Sequence, residues 1–142
     1  MKKKIVYTYG VFDILHYGHI LLLKRAKKLG DYLIVGIVSD ISVKEKKGKE
    51  RPIQNQKDRI NIMKSIIYVD KVIIQKEFDP TKELKKLNAK GFKVDVLCKG
   101  DDWDYIPGQE IIKRMGGKLI RLSYSKKYST TNIVKKIRGI IC

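Results

Sequence analysis

Acidic residues run out early in this chain of 142 residues. After Glu110 there is no aspartate or glutamate, while nine lysines and arginines follow. Over the whole chain 32 basic residues face 15 acids, a formal charge of +17. Such a field attracts polyanions, and it suits either a nucleic-acid-binding module or an enzyme with phosphate-rich substrates. Much of it also reads as a plain solvated surface. Cysteine is scarce: Cys98 and Cys142 stand alone, without metal-ligand spacing, which excludes a disulfide framework and a zinc site. A reducing, cytoplasmic setting is the expectation. Apolar runs are short, far below the roughly 20 residues that span a bilayer. Met1 and three lysines lead into a short mixed segment that does not read as a signal peptide. Internal repeats, low-complexity tracts and linkers are absent, so one domain over residues 1–142 is expected. No RNP-like aromatic pattern appears, which weakens the nucleic-acid reading.

What is present alternates. Strand-like segments are Lys4–Tyr9, Tyr32–Val38, Lys71–Gln75, Val94–Cys98 and Lys118–Leu122. Between them, helical spacing marks Gly18–Leu29, Ser39–Lys47, Gln56–Ile67, Thr81–Ala89 and Gly108–Met115, and Thr130–Ile141 closes the chain. Alternation of this kind predicts an α/β fold, a doubly wound, Rossmann-like five-stranded parallel sheet with helices on both faces. Ligands of such sheets bind beyond the carboxyl ends of the strands, where strand order switches. Unusual residues gather after strands one, four and five.

Strand one is followed by Tyr9-Gly10-Val11-Phe12-Asp13-Ile14-Leu15-His16-Tyr17-Gly18-His19. Gly10 lets backbone approach a ligand. His16 and His19, the chain's only histidines, lie three apart at a helix start and face the same way. Two imidazoles beside free helix-terminal amides make a phosphate pocket. A metal site there would need further ligands, and only Asp13 is near. Strand four leads to Gly100-Asp101-Asp102-Trp103, where paired carboxylates suit either Mg²⁺ or a helix-capping turn. Trp103 reads as a site wall or as a packing anchor. Strand five leads to Ser129-Thr130-Thr131, more hydroxyls than one N-cap needs, with Lys126 and Lys127 beside them. A fourth, basic stretch holds Lys44, Lys46, Lys47 and Arg51 and runs on to Arg59.

The segment Gly10–His19 resembles the H-x-G-H signature of cytidylyltransferase-like nucleotidyltransferases. With Thr8–Asp13 and Gly100-Asp101-Asp102-Trp103 it is most similar to glycerol-3-phosphate cytidylyltransferases. That resemblance implies transfer of CMP from CTP to glycerol 3-phosphate, with Mg²⁺ offsetting charge and a homodimer as the assembly. His16 and His19 would donate to phosphate oxygens as charge builds, and Lys44, Ser129 and Thr130 would complete the catalytic set. Nucleotide contacts are implied for Tyr9, Gly10, Val11, Phe12, Gly18, Arg59, Gly100, Asp101, Asp102, Trp103 and Ser129-Thr130-Thr131. Acceptor contacts are implied for Asp13, Lys44 and Lys47, and Asp102 is the metal ligand.

Two departures qualify the acceptor. The arginine of that family's R-T-E-G is Tyr124 here, and the arginine of its R-Y-V-D is Ile67. Conversely, Ser42-Val43-Lys44 through Gly48-Lys49-Glu50-Arg51-Pro52, and Ser129 through Ile137, look like heptose-1-phosphate adenylyltransferases. Those transfer AMP from ATP to a sugar phosphate.

Overall fold

A computed structural model of the protein describes residues 2–123 and 127–141. Met1, Tyr124, Lys126 and Cys142, which entered the sequence reading, lie outside the described residues. Five strands, β1 (Ile5–Gly10), β2 (Tyr32–Val38), β3 (Lys71–Gln75), β4 (Val96–Gly100) and β5 (Lys118–Leu122), form one sheet in the order β3-β2-β1-β4-β5. Every pairing is parallel. Strand order therefore reverses between β1 and β4, and their carboxyl ends open a crevice.

The helices are α1 (Tyr17–Lys27), α2 (Asp40–Lys47), α3 (Gln56–Lys64), α4 (Thr81–Ala89), α5 (Gln109–Arg114) and α6 (Thr130–Ile141). None is long and apolar enough to cross a membrane. Leu23 and Ala26 of α1 and Met63 of α3 pack on Val6, Leu33, Val35, Val96 and Cys98. On the opposite face Leu84 and Leu87 of α4 and Ile112 of α5 meet Tyr7, Tyr9, Ile34 and Leu97. Burial on both faces explains why β1 and β2 are nearly continuous apolar runs. Gly36 has a packing reason: a Cβ there would lie 2.0 Å from the Tyr7 hydroxyl, which crosses it to donate to Gln75 Oε1 at 2.6 Å.

Several boundaries differ from the sequence expectation by a residue or more, and those of α3 and β4 have an evident cause. Helix α3 stops at Lys64 because the chain tightens there: Ser65 and Ile66 N–H donate to Ile62 and Met63 carbonyls, and Ile67 is 87% exposed. Strand β4 begins and ends two residues later than Val94–Cys98. Asp95 N–H already bonds Ile5 O, yet ladder pairing starts at Val96 and carries on until Gly100 meets Leu122. A polar Lys99 breaks the apolar run without breaking the strand, so it projects from regular structure rather than from a loop.

Candidate active site

The loop after β1 is strained and held from three sides. Phe12 and Ile14 both sit at positive φ, 51° and 48°, a costly conformation for bulky side chains. Between them the Asp13 carboxylate accepts the N–H groups of Ile53 at 2.7 Å and Gln54 at 2.9 Å. Ile14 N–H donates to Gln54 Oε1 at 3.0 Å, and the Thr130 hydroxyl donates to Asp13 O at 2.7 Å. Asp13 thus lines the crevice with both carboxylate oxygens engaged by backbone. It positions the loop and leaves little capacity for the acceptor contact that the family resemblance implied.

This loop delivers the histidines in an unusual arrangement. His16 is the N-cap of α1, and its Nδ1 accepts Gly18 N–H at 3.1 Å. His19 reaches back, its Nδ1 accepting His16 N–H at 3.2 Å. The pair forms a reciprocal capping box from imidazoles, satisfying amides that a helix start otherwise leaves open. The rings stack at 3.7 Å between centroids, with Phe12 edge-on to His19. An Nδ1 that accepts a backbone proton carries none itself, so each neutral ring presents Nε2–H. Burial, reinforced by His16, Lys47 and Lys99, pushes the His19 pKa down to about 3, and burial also lowers that of His16. Both histidines are therefore neutral hydrogen-bond donors at physiological pH. Gly18 is required by packing, since a Cβ would fall 2.7 Å from Tyr128 Cβ and 3.0 Å from His16 Cε1.

The amino end of α6 closes one side of the crevice. Ser129 Oγ caps the helix by accepting Asn132 N–H at 3.0 Å, Thr130 ties to Asp13, and Thr131 Oγ1 accepts from Arg51 Nη2 at 3.1 Å. All three hydroxyl residues face the crevice and have structural bonds besides. The crevice is also lined by Tyr9, Gly100, Asp102 and Trp103, with Lys46 and Lys47 from α2. Burial lowers the Lys47 pKa, and neighbouring Arg51 and Lys46 lower it further. Arg121 fixes the 101–107 turn by donating to the Trp103 and Asp104 carbonyls.

The structure does not bring every expected residue to the crevice. Lys44 is exposed on α2 and does not line it. Asp101 does not line it either, its N–H bonding Leu122 O. Arg59 is buried, 1% exposed, and its guanidinium is spent on the protein. It donates to the carbonyls of Gln54, Val11 and Val38 and to Asp40 Oδ1 at 2.7–3.0 Å. Those bonds clamp the β1 and β2 ends to α2 and α3, which is a different task from nucleotide contact. Given no site role from the sequence were Arg51, Phe78 and above all Lys99, which line the crevice. Only the β4 boundary, misplaced by two residues, would have pointed to Lys99.

Mg²⁺ usually keeps several waters and binds one or two carboxylates plus substrate phosphates. Among the described residues no group of three or more His, Cys, Asp or Glu could cage a metal. Asp102 lines the crevice, while the Asp13 carboxylate is engaged. The donor set fits an ion carried in on a triphosphate and touched by Asp102.

A model of the cytidylyltransferase-like family matches residues 7–136, from within β1 into α6. The chain belongs to that family. Among curated relatives of this cytidylyltransferase-like chain, the bifunctional protein HldE of Campylobacter fetus subsp. fetus (strain 82-40) is 45% identical over 139 residues. HldE of Geotalea uraniireducens (strain Rf4) is 38% identical over 138 residues. Each alignment covers 96% of this chain but only 28% and 27% of the relative, so the chain spans little more than a quarter of their length. Among solved structures, the lipopolysaccharide core biosynthesis protein from Thermoplasma volcanium GSS1 superposes with a TM-score of 0.74 at 32% identity. That match covers 88% of this chain and all of the other.

Proposed function

We propose that the protein transfers an adenylyl group from ATP to a sugar 1-phosphate of the heptose class, releasing pyrophosphate. The observation that carries the reaction type is the reciprocal histidine cap: two neutral Nε2–H donors held rigidly at a helix start, in the crevice where strand order switches. Support for the donor and acceptor comes from the HldE relatives and from the two segments that resemble heptose-1-phosphate adenylyltransferases. The Gly100-Asp101-Asp102-Trp103 turn favours the second reading, CMP transfer from CTP to glycerol 3-phosphate.

In the reaction an oxygen of the acceptor phosphate forms a bond to the α-phosphorus. The bond from that phosphorus to the bridging oxygen breaks, and pyrophosphate leaves with the electron pair. A phosphate monoester is ionised near neutral pH, so no strong general base is required. What remains is alignment and stabilisation of charge. The Nε2–H groups of His16 and His19 donate to the α-phosphate as it crowds with oxygens. Lys47 and the amino end of α6 hold the departing β- and γ-phosphates. Asp102 would be the protein contact of a Mg²⁺ carried in with the triphosphate, and that ion would supply further charge neutralisation.

The test is pyrophosphate release with CTP or ATP, each paired with glycerol 3-phosphate or heptose 1-phosphate. Release is expected with ATP and heptose 1-phosphate. Release only with CTP and glycerol 3-phosphate would overturn the adenylyl reading and leave the site chemistry intact.

A further inference from the structure

Contacts trace a path across the crevice. His16 lies with Ser129 and Asn132 beside the amino end of α6. His19 stacks on His16, and its pKa registers the charges of Lys47 and Lys99. Lys99 Nζ lies 4.3 Å from the Tyr9 ring centroid and 4.8 Å from that of Trp103. Lys46 Nζ shares the Trp103 ring at 4.7 Å and lies 4.1 Å from Phe78. Two ammonium groups are thus gathered at the Trp103 ring, in the same crevice as the histidine pair and the amino end of α6.

Lys99 is the more telling of the two. Its residue is 8% exposed, and among the described residues its ammonium makes one hydrogen bond, to Tyr9 O at 2.8 Å. Among the described residues neither Lys99 nor Lys46 has a carboxylate within ion-pair distance. A buried cation without an anionic partner is costly. Here aromatic faces and one carbonyl hold the ammonium instead. Those neutral partners leave its charge, and two of its N–H groups, available to a ligand entering the crevice.

We propose that Lys99, assisted by Lys46, binds the phosphate of the acceptor and so fixes the attacking oxygen on the side opposite the leaving pyrophosphate. The assignment rests on the nucleotidyl-transfer reading. In-line displacement needs one anion on each side of the α-phosphorus, and the amino end of α6 already provides for one. The ligand class is a phosphate monoester dianion.

Trp103 is the chain's one tryptophan and touches both lysines, so its fluorescence reports this subsite without any need for turnover. Titration with inorganic phosphate is expected to give a saturable change in the wild type. Affinity should fall about tenfold to a hundredfold in Lys99→Met, and less in Lys46→Met, whose side chain is exposed. Burial lowers the Lys99 pKa to about 8, so wild-type affinity should fall as pH rises through that value. Asp102 and Cys98 support the charged form, while Lys46 and Lys47 oppose it, with Tyr9 and His19 as the other facing groups. Lys99→Met should lack this limb. In turnover, the acceptor KM should rise by the same factor while ATP affinity, measured without acceptor, stays within about twofold. Phosphate binding unchanged in both variants would overturn the proposal, as would loss of ATP affinity at an unchanged acceptor KM. Failure of the adenylyl reading is separate: the wild type would then ignore heptose 1-phosphate while the phosphate titration still depends on Lys99.

Discussion

Replacing His16 by asparagine is expected to lower turnover by about 10²–10³-fold with little loss of stability. Asparagine Oδ1 can occupy the place of Nδ1 and keep accepting Gly18 N–H, so the helix stays capped, while the Nε2–H donor disappears. His16→Ala removes both functions and should cost about 1 kcal/mol of stability besides. Comparing the two variants by steady-state kinetics and thermal unfolding separates the cap from the chemistry. Turnover preserved in His16→Asn would remove the histidine from catalysis. His19 adds a pH signature. Its folded pKa of about 3 lies far below the usual histidine value, so the ring stays neutral through the working range and rate profiles should show no limb near pH 6.5 from it. The same shift makes the folded state resist protonation. The stability it contributes is complete above pH 6.5 and is lost as pH falls from there toward 3.

Arg59→Met should destabilise the protein by about 3–5 kcal/mol, the range found when one partner of a buried charged pair is removed. That corresponds to a fall of roughly 10–20 °C in Tm for a chain of this size. The substitution leaves Asp40 without its cation and strips donors from the Val11, Val38 and Gln54 carbonyls. Since Val11 O belongs to the strained β1 loop, nucleotide binding should weaken only as the fold loosens. Circular dichroism melting alongside ATP titration checks this. A variant that melts like the wild type but no longer binds ATP would return Arg59 to the role of a nucleotide ligand.

The contrast between Arg59 and Lys99 shows how much of the site could be read along the chain. Both are basic residues, and the family resemblance implied nucleotide contact for Arg59 and nothing for Lys99. In the fold Arg59 turns inward and satisfies four acceptors, whereas Lys99 ends on a crevice wall with aromatic company. The direction in which a long side chain extends depends on which carbonyls and rings arrive from distant segments, Val11 and Val38 in one case and Tyr9 and Trp103 in the other. Periodicity carries no information about that. Asp13 makes the same point, because its amide donors come from residues 53 and 54, on the far side of α2.

Local chemistry, by contrast, was already decided in the amino-acid order. The apolar run at Tyr32–Val38 dictates a strand buried by helices, and the alternation of strand-like segments with helical spacing dictates a parallel sheet. His16, Gly18 and His19 determine a capped helix start within four residues, since every partner in that motif is a near neighbour in the chain. Only the tertiary structure placed β1 beside β4, brought the amino end of α6 to Asp13, and left Lys46 and Lys99 facing rings rather than carboxylates. Those are long-range pairings. They depend on how the helices pack on the two faces of the sheet, and packing is a property of the whole chain at once.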